Sequence, residues 1–204
     1  DVAFMPIVKV KVNDRHWVHA ALDSCSSATF CSKALARDLS LHANDCSFTL
    51  DTLSGESQVS SHFVSMKLSN GTEAMTISGF KLVDRIPVTS GRIDLSLYPH
   101  LRGIDVSAGV DCKEVQLLIG QDCADALIPL DVRRGKANEP FAVRYKFGWA
   151  LNGKGRVHAS EVNHNVICHW VSSSSFSVPY ESGRDDVSKL WAIEHDYDMD
   201  RSEM

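Results

Sequence analysis

The stretch "LDSCSSATF", residues 22–30, sets one carboxylate, Asp23, at the end of an apolar run and surrounds it with small hydroxyl and thiol side chains. Upstream, "PIVKVKV" (6–12) alternates, with Val8, Val10 and Val12 on one face and Lys9 and Lys11 on the other, the period of a half-buried strand. "NDR" (13–15) reads as a turn and "HWVHAALD" (16–23) as the returning strand. Residues 6–23 are therefore a predicted β-hairpin whose second arm delivers Asp23 to a loop. Further on, "VQLLIGQD" (115–122) is a continuous apolar run closed by Gly120, the pattern of a strand buried on both faces.

Between these stretches strand signals dominate. "SKALARDL" (32–39) is the first helical segment, with Ser32 able to cap it and Leu35 and Leu39 one turn apart. Residues 46–83 read as strands. "TLSGESQ" (52–58) is a hairpin tip, where Gly55 permits a positive φ, and Asn70-Gly71 in "SNGT" suits a type I′ turn. Residues 84–112 show little periodicity and read as an inserted excursion. "CADALIPL" (123–130) predicts a short helix limited by Pro129, and "FAVRYKFGWALNG" (141–153) a last strand or hairpin. The aromatic run Tyr145, Phe147, Trp149 alternates by two, as one packed face of a strand would. The chain is read as mostly β with two short helices, residues 1–152 forming one domain and 153–204 a linker and acidic tail.

Composition narrows the function classes. The 204 residues are 44% hydrophobic and 23% charged, with a net charge of −5, as in ordinary globular domains. Glu181 to Met204 carries eight acids and three bases, so the remainder is neutral overall. No basic stripe is present to displace phosphate counterions, which argues against a nucleic-acid partner. The cluster "VRRGK" (132–136) reads as a solvated turn. No apolar run reaches the roughly twenty residues of a membrane span. No secretory signal is apparent, and the opening Asp1 reads as a segment excised from a longer chain. Cys25, Cys31, Cys46, Cys112, Cys123 and Cys168 form no C-x-x-C pair and read as thiols in a reducing compartment.

An apolar strand ending in Asp-Ser-x-Ser, joined to a later strand ending in Leu-Ile-Gly and a short helix, resembles the retroviral-type aspartic proteases. Residues 117–153, with "PHLRGIDV" (99–106) before them and "LWAIE" (190–194) after, look like the protease region of BEL/Pao-type retrotransposon polyproteins. The resemblance covers roughly residues 5–195. It implies a retropepsin-like acid protease fold: a closed, barrel-like half-site with a flap hairpin and short helices. One chain would carry half an active site, and two copies would pair so that their Asp23 carboxylates share one proton.

Further roles follow from the same resemblance. Ser24 would bond across the dimer, and Cys25 and Ser26 would complete the loop. Ser54, Gly55 and Glu56 would form the flap tip. Leu118, Ile119 and Gly120 would thread beside the loop, with Gln121 and Asp122 bracing the dimer. The implied substrate is an extended peptide of the polyprotein, in the cytoplasm or within retroelement particles, with no metal or cofactor, nucleic acid or membrane. Cys25 departs from the family pattern, which has glycine there. The site tolerates a small side chain, or the copy is catalytically silent and serves dimerisation or peptide binding, or the thiol makes activity sensitive to oxidation.

Plainer readings stand beside these. Asp23 could make only an Asx-turn with Ser24 or Ser26. His158, His164, Cys168 and His169 match no familiar zinc spacing and offer one thiolate. His16 and His19 flank Trp17, and four strand residues put His19 roughly 13 Å from Asp23, too far for a base. They read as surface or packing residues. A cysteine hydrolase built on Cys25 lacks a local His partner.

Overall fold

The computed structural model describes residues 2–52, 55–88, 93–110, 112 and 114–156. Among these the chain is mostly β, in two sheets. The predicted hairpin forms from β2 (Ile7–Val12) and β3 (His16–Leu22), antiparallel with Val10 opposite Val18. Val8, Val10 and Val12 are buried, as their alternation requires. Its turn holds Asn13 at φ 47° and Asp14 at φ 59°, closed by the Arg15 N–H on the Val12 carbonyl. This is the two-positive-φ geometry of a type I′ turn.

The turn at Asn70-Gly71 is of another kind. Ser69 pairs with Ala74, leaving a four-residue loop in which only Gly71 has positive φ. The Asn70 side-chain oxygen accepts the Thr72 and Glu73 N–H groups. That side-chain cap replaces the left-handed backbone a type I′ turn would have demanded of Asn70.

After β3 come β4 (Phe30–Ser32), α1 (Lys33–Asp38), β5 (Ala43–Thr52), β6 (Gly55–Ser69) and β7 (Ala74–Val83). Ser32 caps α1 by accepting the Leu35 N–H. The described residues between 84 and 116 then form 3-10 turns at Leu95–Leu97, Pro99–Leu101 and Ser107–Gly109. β8 (Leu117–Ile119) follows, then a 3-10 segment at Gln121–Ala126, starting and ending earlier than the short helix expected over 123–130. The chain ends in β9 (Asp131–Arg133), β10 (Phe141–Tyr145) and β11 (Gly148–Gly155). β11 runs three residues past the expected domain boundary at 152, because β1 (Val2–Phe4) pairs with it from Val2–Gly155 to Phe4–Gly153.

The larger sheet has the order β2-β3-β8-β4-β7-β6-β5, and β2 returns to pair with β6 at Lys11–Ser69 and Val12–Leu68. The smaller is β1-β11-β10-β9. Strand alternation sorts the buried side chains. Val8, Val10, Leu117 and Ile119 join Phe80 and Phe147 in one cluster, while Ile7, Ala21 and Leu118 join Phe30, Phe48 and Ile86 in a second. Each fully buried side chain of this size contributes about 1.5–3 kcal/mol. A third cluster gathers Phe4, Ile93, Tyr98, Leu101, Val106 and Leu151. The stretch read as an excursion thus supplies core residues.

Tyr145, Phe147 and Trp149 do not share one strand face. They fall on β10, its turn and β11; Tyr145 and Phe147 pack in the first cluster, Trp149 against the third. The hairpin reverses between them, so a period of two in sequence does not become a period of two in space.

Candidate active site

Asp23 sits where β3 leaves the sheet, and β8 fixes that exit. β8 lies between the two strands that flank the loop, parallel to β3 through Leu22–Ile119 and antiparallel to β4 through Phe30–Leu118. The register carries one step past β3: the Asp23 N–H donates to the Ile119 carbonyl at 2.9 Å. The Asp23 side chain is 4% exposed, and its Oδ1 accepts the Cys25 N–H at 2.9 Å. This is an Asx-turn, made with Cys25 rather than the serines considered from sequence. The Ser26 N–H reaches the Asp23 carbonyl at 3.3 Å, and Ser26 Oγ donates to the Ala28 carbonyl at 2.7 Å.

Ser24 and Cys25 are exposed at the loop's outer rim, and Ser26 is buried beneath. The backbone at Cys25 does not have the positive φ for which glycine would be needed. A cysteine here carries no left-handed strain, and its side chain projects outward.

Gly120 is the tightest point. Its φ of −101° and ψ of −171° suit any residue, but a Cβ there would lie 2.3 Å from the Ala28 carbonyl oxygen and 2.7 Å from that of Ser26. Glycine serves here for space alone. Beyond it, the Gln121 N–H donates to the Ser26 carbonyl (2.8 Å) and Gln121 Nε2 to the Ser24 carbonyl (3.1 Å). Asp122 accepts both the Thr29 N–H (3.0 Å) and the Thr29 hydroxyl (2.5 Å). Thr29 Oγ1 in turn accepts the Gly120 N–H at 3.1 Å. Gln121 and Asp122, expected to brace a dimer, brace the Asp23 loop of their own chain. Sequence reasoning passed over Thr29, which is 1% exposed at the centre of this network. Its one signal was a hydroxyl between Ala28 and Phe30 entering a buried strand.

The β5–β6 hairpin pairs from Ala43–Val64 out to Thr52–Gly55, with Gly55 at φ 116° and Glu56 exposed. Ser54 lies outside the described residues. A groove of about 510 Å³ runs between Phe48, Leu50 and Val59 of this hairpin and Phe30, Leu118 and Ile86 beneath it. The Phe30 and Phe48 rings meet edge to face with centroids 6.0 Å apart. Lys33 and Asp84 pair at 2.8 Å among the groove's lining residues. A second hollow of about 560 Å³, lined by Leu97, Tyr98, Asn138 and Lys154, contains no residue of the Asp23 loop.

His19 is half-buried, and desolvation followed by the nearby Lys9 ammonium lowers its pKa from the ordinary 6.5. Burial pushes the Cys31 thiol up to about 12 and also raises Cys46 and Cys123. No disulfide joins the described cysteines. Among the described residues no cluster of His, Cys, Asp or Glu is arranged to hold a metal ion, and no helix is long and apolar enough to cross a membrane. His158, His164, Cys168, His169 and the acidic tail lie outside the described residues. No protein-family model matches the sequence, and no curated protein matches it.

Proposed function

We propose that this chain is one half of an aspartic endopeptidase of retropepsin-like fold, similar to those of BEL/Pao-type retrotransposon polyproteins. The observation that carries the reading is the clamp on Asp23: a nearly buried carboxylate at a strand end, its N–H held by Ile119, with β8 running between the two strands of its loop. A structural Asx-turn needs only local bonds. The second-strand clamp and the space kept by Gly120 hold a carboxylate in place with more precision than a turn requires.

Two copies related by a two-fold axis would bring their Asp23 carboxylates together, where like charges at close range share one proton. The ionised member takes a proton from a bound water, which attacks the peptide carbonyl. The protonated member donates a hydrogen bond to the carbonyl oxygen as charge develops there. Ser24 at the rim links the two loops, and the β5–β6 hairpin closes over the peptide and excludes water. The substrate is an extended polyprotein segment held as an added strand. The groove beside Phe30 and Phe48 accepts one of its apolar side chains. The reaction uses no metal or cofactor, and the reading calls for no nucleic-acid or membrane partner. The thiols suit a reducing setting, the cytoplasm or a retroelement particle.

The test is cleavage of peptides spanning polyprotein junctions, with and without a statine-type inhibitor. Activity that Asp23→Asn abolishes supports the reading; cleavage that persists in that variant ends it. A second reading, a catalytically silent module for dimerisation or peptide binding, rests on Cys25, whose exposed side chain would enter the joint site from both copies. Peptide binding without cleavage, with cleavage appearing in Cys25→Gly, would favour it.

A further inference from the structure

The groove between the β5–β6 hairpin and its floor is apolar along its walls, yet three charged residues are among those that line it: Lys33, Asp84 and Arg85. They are not equivalent. Lys33 Nζ and Asp84 Oδ1 stand 2.8 Å apart and neutralise each other. Arg85 is exposed, and among the described residues no carboxylate pairs with it. The groove therefore presents one uncompensated positive charge beside an apolar floor. The fold also fixes where that charge stands. On one side, Asp84 is tied to Lys33 at the start of α1. On the other, Ile86 and Val88 are buried in the second cluster, with the Val88 N–H on the Ile86 carbonyl at 2.9 Å. Arg85 lies between these two tethers, and while Ile86 is spent on the core, Arg85 is left exposed among the groove's lining residues.

We infer that Arg85 sets a charge preference in the bound peptide, selecting an acidic residue two positions from the apolar residue that fills the groove. The inference rests on the peptide-cleaving reading and adds the residue that discriminates among peptides. In an extended peptide, side chains two residues apart project on the same side, about 7 Å from each other. A bulky side chain seated against Phe30, Phe48 and Leu118 thus puts its second neighbours over the groove's edges. A carboxylate at the edge that holds Arg85 meets a planar fork of N–H donors matched to its two oxygens. A lysine there meets a like charge, and a glutamine keeps the shape without the charge. The hairpin closing above excludes water and strengthens the contrast.

The experiment measures kcat/KM on extended peptides, each holding one phenylalanine and, two residues before or after it, Glu, Gln or Lys. The same peptides are titrated against Asp23→Asn, so that binding is read where cleavage is absent. At one of the two positions the wild type should prefer Glu to Gln about fivefold, the upper range for a partly exposed ion pair, and should disfavour Lys. Arg85→Glu should invert the order and prefer Lys, whereas a merely structural role for Arg85 would weaken all the peptides alike. Should Arg85→Glu fail to fold, salt on the unaltered chain decides. Raising ionic strength from about 0.05 to 0.5 M must shrink the preference for Glu over Gln, and a preference that salt leaves unchanged overturns the role of Arg85. Cleavage that is indifferent to Glu, Gln and Lys overturns that role as well but leaves the shared Asp23 site standing. Binding with the Glu preference and no cleavage upholds Arg85 and overturns the catalytic reading in favour of the silent module. Neither binding nor cleavage overturns both.

Discussion

Replacing Gly120 by alanine isolates the clamp on Asp23. The backbone at 120 is acceptable to any residue, so the substitution tests space and nothing else. The new methyl would stand 2.3 Å from the Ala28 carbonyl oxygen and 2.7 Å from both the Ala28 carbonyl carbon and the Ser26 oxygen. Carbon and oxygen sit no closer than about 3.3 Å even in weak hydrogen bonds, so the backbone of residues 26–28 must retreat by about 1 Å. Overpacking of this kind costs about 1–3 kcal/mol. The retreat also pulls on the Gln121–Ser26 and Gly120–Thr29 hydrogen bonds, each contributing about 1 kcal/mol net. The expected loss is therefore about 2–5 kcal/mol out of a total of about 5–15.

Urea unfolding at fixed protein concentration reads this directly. With a slope of about 1–3 kcal/mol per molar, the midpoint should fall by roughly 1–2 M without a change of slope. Gly109→Ala is the control: its Cβ would meet Leu151 Cβ at an ordinary 3.4 Å, and restricting the unfolded chain should make that change neutral or stabilising by about 0.5–1 kcal/mol. A Gly120→Ala midpoint within about 0.2 M of the wild type would refute the account of the clamp.

The other predictions concern neighbouring groups. Thr29→Val strands the Gly120 N–H and removes a donor from Asp122; it should cost about 1–3 kcal/mol, read as a urea midpoint shift. Under limiting alkylating reagent, of the five described cysteines exposed Cys25 should be labelled first and Cys31 last, since Cys31 is fully buried with its pKa raised to about 12; peptide mapping that reverses this order would contradict the packing of β4. For His19, the folded pKa lies below the unfolded one of about 6.5. The unfolded chain then binds more protons as pH falls, so stability drops as pH falls through 6.5 towards the folded value. His19→Gln should flatten the fall of Tm across that window, and an unchanged profile would show that His19 is not the titrating group. If paired carboxylates do the chemistry, cleavage should follow a bell-shaped pH profile on the acidic side of neutrality, and a flat profile to pH 8 would argue for another mechanism.

What could be read in advance was whatever a local period encodes. Val8, Val10 and Val12 declare the β2–β3 hairpin, and the unbroken run to Gly120 declares a strand with both faces covered, as Leu117, Leu118 and Ile119 are. Ser32 marks the start of α1 through its own side-chain chemistry. Short elements carried no such period. β1, β4 and β9 have three residues each, too few to show alternation, and they exist because distant partners hold them. The type I′ geometry expected at Asn70-Gly71 is found instead at Asn13-Asp14, which had been read only as a turn, because the Asn70 side chain closes its own loop by accepting the Thr72 and Glu73 N–H groups. At the site, Asp23 and Gly120 stood out as residue types, whereas Thr29 is defined by a bond to Asp122 ninety-three positions away.

The register that joins Val2 to Gly155 has a bearing on synthesis. The only described strand partner of β1 is β11, so during synthesis residues 2–4 must wait until residues 153–155 have been made. At about 5–20 residues per second that delay is of the order of ten to thirty seconds. During it the Phe4 ring, which ends among Ile93, Tyr98 and Leu151, remains in water or in the hands of a chaperone. The smaller sheet is thus a latch drawn from residues far apart in the sequence, 2–4 and 131–155, and it cannot close until residue 155 has been made.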